Sequence, residues 1–179
     1  YVYPYDTYIP EGRGRKSNKY WFQQLKDNHF NATAYSNRPE LVGGQKDGEA
    51  YHYRRFTTGV EADVAIEFLR NRKGQRDASK PFSLFLSVNP PHTPYHRLTD
   101  CKEEVFNQYY KDLKTEEVLL RPNVQVGEGT QVKNKERLTF EAKIYFSLIK
   151  SVDDEIGRVL KVLDEEGLTD NTILVFAAD

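Results

Sequence analysis

PFSLFLSVNPPHTPY, residues 81–95, is the stretch whose reading decides the fold. Phe82, Leu84, Phe85, Leu86 and Val88 make a short, almost continuous apolar run. That is the pattern of a strand buried on both faces of a parallel sheet, although periodicity alone leaves a short buried helix open. Pro90, Pro91 and Pro94 then deny backbone donors and push their neighbours into extended geometry. The run therefore reads as a strand that stops there, with His92 on a stiff loop at its carboxyl end. Ligands of open α/β sheets bind beyond the carboxyl ends of strands, which makes His92 the first functional candidate.

Downstream, Leu138, Ala142, Tyr145, Ile149, Val152, Ile156, Val159, Leu160 and Leu163 recur at spacings of three and four. The spacing predicts a long amphipathic helix over 135–166, stopped by Gly167. Residues 172–178, TILVFAA, repeat the buried-strand pattern, and Asp179 follows them as His92 follows the first run. Strand, long helix and strand form a crossover unit, right-handed if the strands share a sheet. His92 and Asp179 would then open onto one sheet edge, where an imidazole and a carboxylate suit a metal or a phosphate- or sulfate-like anion. On pattern alone, an Asp after a strand is also an ordinary turn residue.

Upstream, Val60, Val64, Ala65, Phe68 and Leu69 predict a helix over 60–73, capped by Thr57 or Thr58 and followed by Gly74. A weaker helical spacing covers 103–113, and LLRPNVQVGEGT, residues 119–130, reads as an extended connection. Residues 1–56 read as irregular loops punctuated by Gly43, Gly44 and Gly48, with a short helix carrying Tyr20, Trp21 and Leu25 behind a Ser17 cap. Arg13, Arg15, Lys16 and Lys19 cluster there, as a solvated loop or as a rim that attracts an anion. His29 and His52 have no second ligand at metal spacing and read as structural or exposed. Asn31-Ala32-Thr33 matches a glycosylation sequon, of consequence only in a eukaryotic secretory context.

Composition limits the classes. The 179 residues are 38% hydrophobic, 30% charged and 13% aromatic, polar for a compact domain but too aromatic for disorder. Lys and Arg number 26 against 27 acidic residues, a net charge of −1 that leaves no basic footprint for nucleic acid. The single cysteine, Cys101, rules out an internal disulfide and a cysteine metal cluster, and its setting, LTDCKEE, holds no activating partner. No apolar run approaches the length of a membrane span, and no signal peptide is visible. Tyr1 stands where an initiator methionine would, and ILVFAAD stops where a strand hands over to a loop, so both ends read as cut.

Three pieces, in order, resemble the sulfatase family of the alkaline-phosphatase-like superfamily: KPFSLFLSVNPPHTPY (80–95), LLRPNV (119–124) and residues 142–179, ending TILVFAAD. The resemblance implies a fold class of α/β, a partial alkaline-phosphatase-like, mostly parallel sheet with flanking helices, the whole chain being an internal segment of one catalytic domain. It implies a sulfuric-ester hydrolase acting on a small-molecule or carbohydrate sulfate ester, with a formylglycine nucleophile and a divalent cation, usually Ca2+. A hard cation with oxygen ligands would polarise the ester and offset gathering negative charge. Residue by residue, His92 matches the family's histidine in the H-x-P loop, a sulfate contact and candidate general acid, and Asp179 matches the first acid of the metal-binding pair. The departures are definite. Cys101 is followed by Lys102-Glu103-Glu104, not by the family's C-x-P-S-R pattern, and the early Asp-Asp pair and G-K-W-H segment are missing. The nucleophile and most metal ligands are thus expected outside these residues, the segment alone is expected to be inactive, and a periplasmic or secreted parent is implied. The same fold could instead serve a phosphodiesterase or phosphonate monoester hydrolase, and a tyrosine-rich binding module is the reading from another class.

Overall fold

The computed structural model describes residues 7–12, 15–16, 18–25, 29–119, 123 and 134–177. The elements are β1 (Phe22–Gln24), β2 (Ala32–Ser36), β3 (Tyr51–Tyr53), α1 (Thr57–Arg70), α2 (Glu103–Val105), α3 (Thr115–Val118) and α4 (Lys135–Glu165). A π-helical turn, Phe106–Tyr110, continues α2.

Helix α4 matches its expected extent closely, whereas α1 runs Thr57–Arg70 rather than 60–73. Helix α4 begins at Lys135, where the Asn134 side chain accepts a 2.9 Å bond from the Arg137 amide. It ends before Gly167, which takes a left-handed φ of 64°. Helix α1 ends on Asn71, itself left-handed at φ 51°, so the stop falls before the expected Gly74. Neither Thr57 nor Thr58 caps α1; Phe56 holds that position without a side-chain bond. The α1 stripe Val60, Val64, Ala65, Phe68 and Leu69 is buried as the spacing predicts.

On α4 the buried face is offset from the expected one. Ile144, Leu148, Val152, Val159, Val162 and Leu163 face inward, while Tyr145, Ile149 and Leu160 remain partly in solvent. Apolar residues cover more than one face of this helix, and small polar residues occupy the inner one. Ser147 and Ser151 are fully buried because each hydroxyl bonds back to the carbonyl four residues earlier, at 2.7 Å. Ala62, Ala65, Ile66 and Leu69 of α1 pack on Val159, Val162 and Leu163 of α4. Ile144, Leu148 and Val152 meet Phe56, Cys101 and Phe106 in a second core. Glu155 is clamped between the two helices by Lys102 at 2.8 Å and Arg158 at 2.5 Å, and Arg158 also reaches Asp63 of α1 at 2.6 Å. Burial pushes the Glu155 carboxyl up, but these two cations hold it below its ordinary value. Gly59 makes the approach possible, since a Cβ there would lie 3.3 Å from Glu155 Oε1.

The sheet differs from the one expected. It is antiparallel, with order β1-β2-β3 and register Phe22↔Ser36 and Ala32↔Tyr53, and it lies inside the segment read as irregular loops. Along β2, Ala32, Ala34 and Ser36 point inward and Thr33 and Tyr35 outward. The alternation is present, but in residues so small that it is invisible as hydrophobicity. The helix expected for Tyr20, Trp21 and Leu25 is replaced by β1 for the same reason: the strand partner lies elsewhere in the chain, and local spacing does not report it. Ser17 lies outside the described residues.

Residues 81–89 and 172–177 run without regular hydrogen-bonded structure, and no parallel pairing occurs among the described residues. Phe82 and Leu86 pack on the α1–α4 core and Val88 on the second core. Phe85 is 91% exposed and Ile173 93%, with Leu174, Val175 and Phe176 also in solvent. An apolar run specifies burial on two faces, but a strand also needs neighbours for its ladder bonds, and those neighbours are not among these residues. No helix among the described residues is long and apolar enough to cross a membrane.

Glu61 on α1 is buried, and its Oε2 has no hydrogen-bond partner among the described residues. Burial pushes its carboxyl up to about 8 from 4.5. The native state therefore holds a proton that the unfolded chain releases above about 4.5, and stability falls as pH rises from there through about 8. The full loss is at most on the order of 5 kcal/mol. Glu61→Gln is expected to flatten this slope. Urea midpoints at pH 5 and pH 8 check it, and an equal drop in both proteins would show that Glu61 does not titrate this way.

Candidate functional site

The turn that carries His92 is closed by its own amide, which donates to the Asn89 carbonyl at 3.0 Å. The Pro90–Pro91 and Thr93–Pro94 bonds on either side of it are cis. The His92 side chain is exposed, with Nδ1 3.1 Å from the Thr93 carbonyl and 3.2 Å from the Thr93 hydroxyl. A carbonyl only accepts, so that contact is a bond when Nδ1 carries the hydrogen. Nε2 is then the outward nitrogen, a bare acceptor in the neutral ring and a donor in the charged one.

Behind this turn lies His29, with no exposed surface. Its Nε2 sits 2.9 Å from the Pro94 carbonyl, an acceptor, so Nε2 carries the proton. Burial lowers its pKa below the ordinary histidine value, against the pull of the Pro94 and His92 carbonyls, which favours the neutral ring. The His29 carbonyl in turn accepts the Thr57 amide at 2.9 Å, at the first residue of α1. A continuous set of bonds therefore runs from the start of α1 through His29 to the turn that presents His92. Beyond the turn, Asp100 Oδ2 accepts the His96 and Arg97 amides at 2.8 and 2.9 Å. Glu141 of α4 holds His96 Nδ1 at 3.0 Å and Arg137 Nε at 2.9 Å.

Of the two readings the sequence leaves for His29, structural or exposed, its full burial selects the structural one. The pairing of His96 with Glu141 carries no sequence signal, because its members are 45 residues apart and on different elements. Arg15 is neither solvated nor a free anion-attracting rim. It is 3% exposed, bonded to Asp47 at 2.5 Å, and stacked against Tyr8 and Trp21. His52 meets Thr33 across the β2–β3 pair at 2.9 Å, on an exposed sheet face. Cys101 is buried in the second core with its thiol pushed up to about 11 by burial, so it is a core residue and no nucleophile. Asp179 lies outside the described residues. Among the described residues no three His, Cys, Asp or Glu side chains converge as a metal site, and none fits a formylglycine precursor.

The family model described as Sulfatase matches residues 7–179. The chain is 31% identical over 176 residues to an endo-4-O-sulfatase of Bacteroides thetaiotaomicron, covering 98% of this chain and 31% of that protein. It is 29% identical over 176 residues to an ulvan-active sulfatase of Formosa agariphila, covering 97% of this chain and 29% of that protein. A structure solved in work on the metabolism of multiple glycosaminoglycans by B. thetaiotaomicron superposes with a TM-score of 0.74 at 30% identity, over 90% of this chain and 29% of that one. The chain thus spans under a third of the length of these relatives.

Proposed function

Because this chain belongs to the sulfatase family, whose α/β fold it shares in part, we propose that it is an internal segment of an enzyme that hydrolyses sulfate esters on an anionic carbohydrate. The observation that carries the reading is His92, exposed on a turn that is pinned from behind by His29. In this reading His92 contacts the sulfate, and its Nε2 donates the proton that the departing alkoxide needs as the S–O bond breaks. The nucleophile comes from residues elsewhere in the protein. The relatives' names supply the substrate class: sulfatases of ulvan and of 4-O-sulfate, and a solved relative tied to glycosaminoglycans. The apolar runs at 81–88, packed on one side only, and at 173–176 take their strand partners from the rest of the domain, with residues 1–56 on the substrate side and 57–179 in the α/β core.

The test is release of inorganic sulfate from a sulfated disaccharide and from an aryl sulfate. The full-length protein is expected to release it and the 179 residues alone are not. A full-length protein that cleaves phosphate diesters and no sulfate ester would overturn the reading.

The described residues do not form a cation site, so no step here runs through a cation. Asp179 is the residue of this chain assigned to one, a carboxylate that would favour a hard cation such as Ca2+. Asp179→Ala in the full-length protein is expected to weaken Ca2+ binding by roughly tenfold or more in a calorimetric titration. An unchanged titration would remove Asp179 from the cation's ligands.

A further inference from the structure

A concavity of about 390 Å³ opens beside the His92 turn. Phe30 and Pro94 are its apolar lining residues, and Arg54 and Arg97 line it as well. Neither arginine is ion-paired among the described residues, which holds also for Arg72 and Arg76 but not for Arg15, Arg38, Arg55, Arg70, Arg137 or Arg158. The one carboxylate in the lining, Asp100, accepts two backbone amides and is itself buried, so part of its charge is already engaged. Two arginines without an ion pair among the described residues, against one engaged carboxylate, bias the charge of this hollow toward an anion, and planar guanidinium forks match a carboxylate or sulfate in bidentate fashion. His92 does not line it, although Pro94, two residues on, does. The hollow therefore lies beside the turn that carries His92.

We propose that Arg54 and Arg97 form a subsite for a second anionic group on the sugar chain, a carboxylate or a further sulfate on the residue next to the one being desulfated. The proposal rests on the sulfatase reading for its substrate. It adds what would make such an enzyme prefer polyanionic chains over simple esters: charge recognition one sugar away from the scissile bond, with an apolar wall for the ring that bears it.

The experiment uses the full-length protein with Arg54→Ala, Arg97→Ala and the double variant. Three sulfated disaccharides are compared: one with an adjacent uronate, its carboxyl-reduced form, and one with a second sulfate in place of the carboxylate. In the wild type, the uronate or the doubly sulfated substrate is expected to exceed the carboxyl-reduced form in kcat/KM by about tenfold or more, which corresponds to one charge-assisted contact. Whichever is preferred identifies the anion's source. In the double variant that ratio is expected to fall towards one, chiefly through KM. A preference that survives both substitutions, or losses equal for all three substrates, would overturn the subsite. Should the wild type cleave no sulfate ester, calorimetry with an unsulfated uronate tetrasaccharide still decides. Binding that the double variant loses keeps the subsite while the sulfatase reading falls, and no binding by the wild type ends both.

Discussion

His92→Ala in the full-length protein is expected to lower kcat for sulfate-ester hydrolysis by roughly 10²–10⁴-fold, the range for a positioned general acid. The turn leaves Nδ1 facing the Thr93 carbonyl and hydroxyl and turns Nε2 outward, so the ring has one nitrogen anchored and one to give. Chemistry sets the pattern of losses across substrates. A sugar alkoxide is a strong base and cannot leave without a proton, whereas a nitrophenolate leaves readily without one. The variant should therefore lose far more turnover on a carbohydrate sulfate than on a nitrophenyl sulfate. Equal losses on both would assign His92 to sulfate contact rather than proton donation. Wild-type rates on both would remove it from the site. The side chain is exposed and outside the cores, so circular dichroism and melting temperature should barely move, separating lost chemistry from lost fold.

How much of this is legible in the sequence depends on where each signal is stored. The two long helices carry their signal locally, in spacing over 14 and 31 residues, and from it the extent of α4 is read almost to the residue and that of α1 to within about one turn. The orientation of α4 is not, because Ser147, Ser151 and Glu155 are polar residues on its buried face, reconciled by back-bonding and by the Lys102–Arg158 clamp. Strands are non-local objects. Ala32, Ala34 and Ser36 alternate inward with almost no hydrophobic contrast, so β2 is invisible to periodicity and is revealed by pairing with β1 and β3. The converse holds for residues 81–88, where strong hydrophobicity announces burial but the partners that would bury it lie outside the run. His92 is legible because prolines mark its turn in sequence. Arg54 and Arg97 are not, since a hollow formed by residues 43 positions apart leaves no trace in either neighbourhood.

His29→Leu is expected to lower kcat by roughly ten- to a hundredfold without touching substrate, since small misplacements of a reacting group cost up to about that much. The imidazole donates to the Pro94 carbonyl at 2.9 Å, while its backbone carbonyl takes the Thr57 amide at the start of α1. Leucine fills much of the same space but leaves the carbonyl without its donor, at a stability cost of about 1–3 kcal/mol. Stability loss alone would scale down the folded fraction and leave the kinetics of the remaining folded enzyme unaltered. Misplacement of His92 predicts something else: kcat per folded molecule falls while KM for a small aryl sulfate changes little, and the loss is steeper for carbohydrate leaving groups, as it is for His92→Ala. His29→Gln separates the two explanations, because the glutamine amide can present an N–H to the same carbonyl from a similar distance and should recover most of the rate. If the Leu and Gln variants turn over alike once corrected for folded fraction, the bond to Pro94 serves the fold and not the placement of His92. In the double variant His29→Leu with His92→Ala, the losses should not add, because the buried ring acts only through the exposed one.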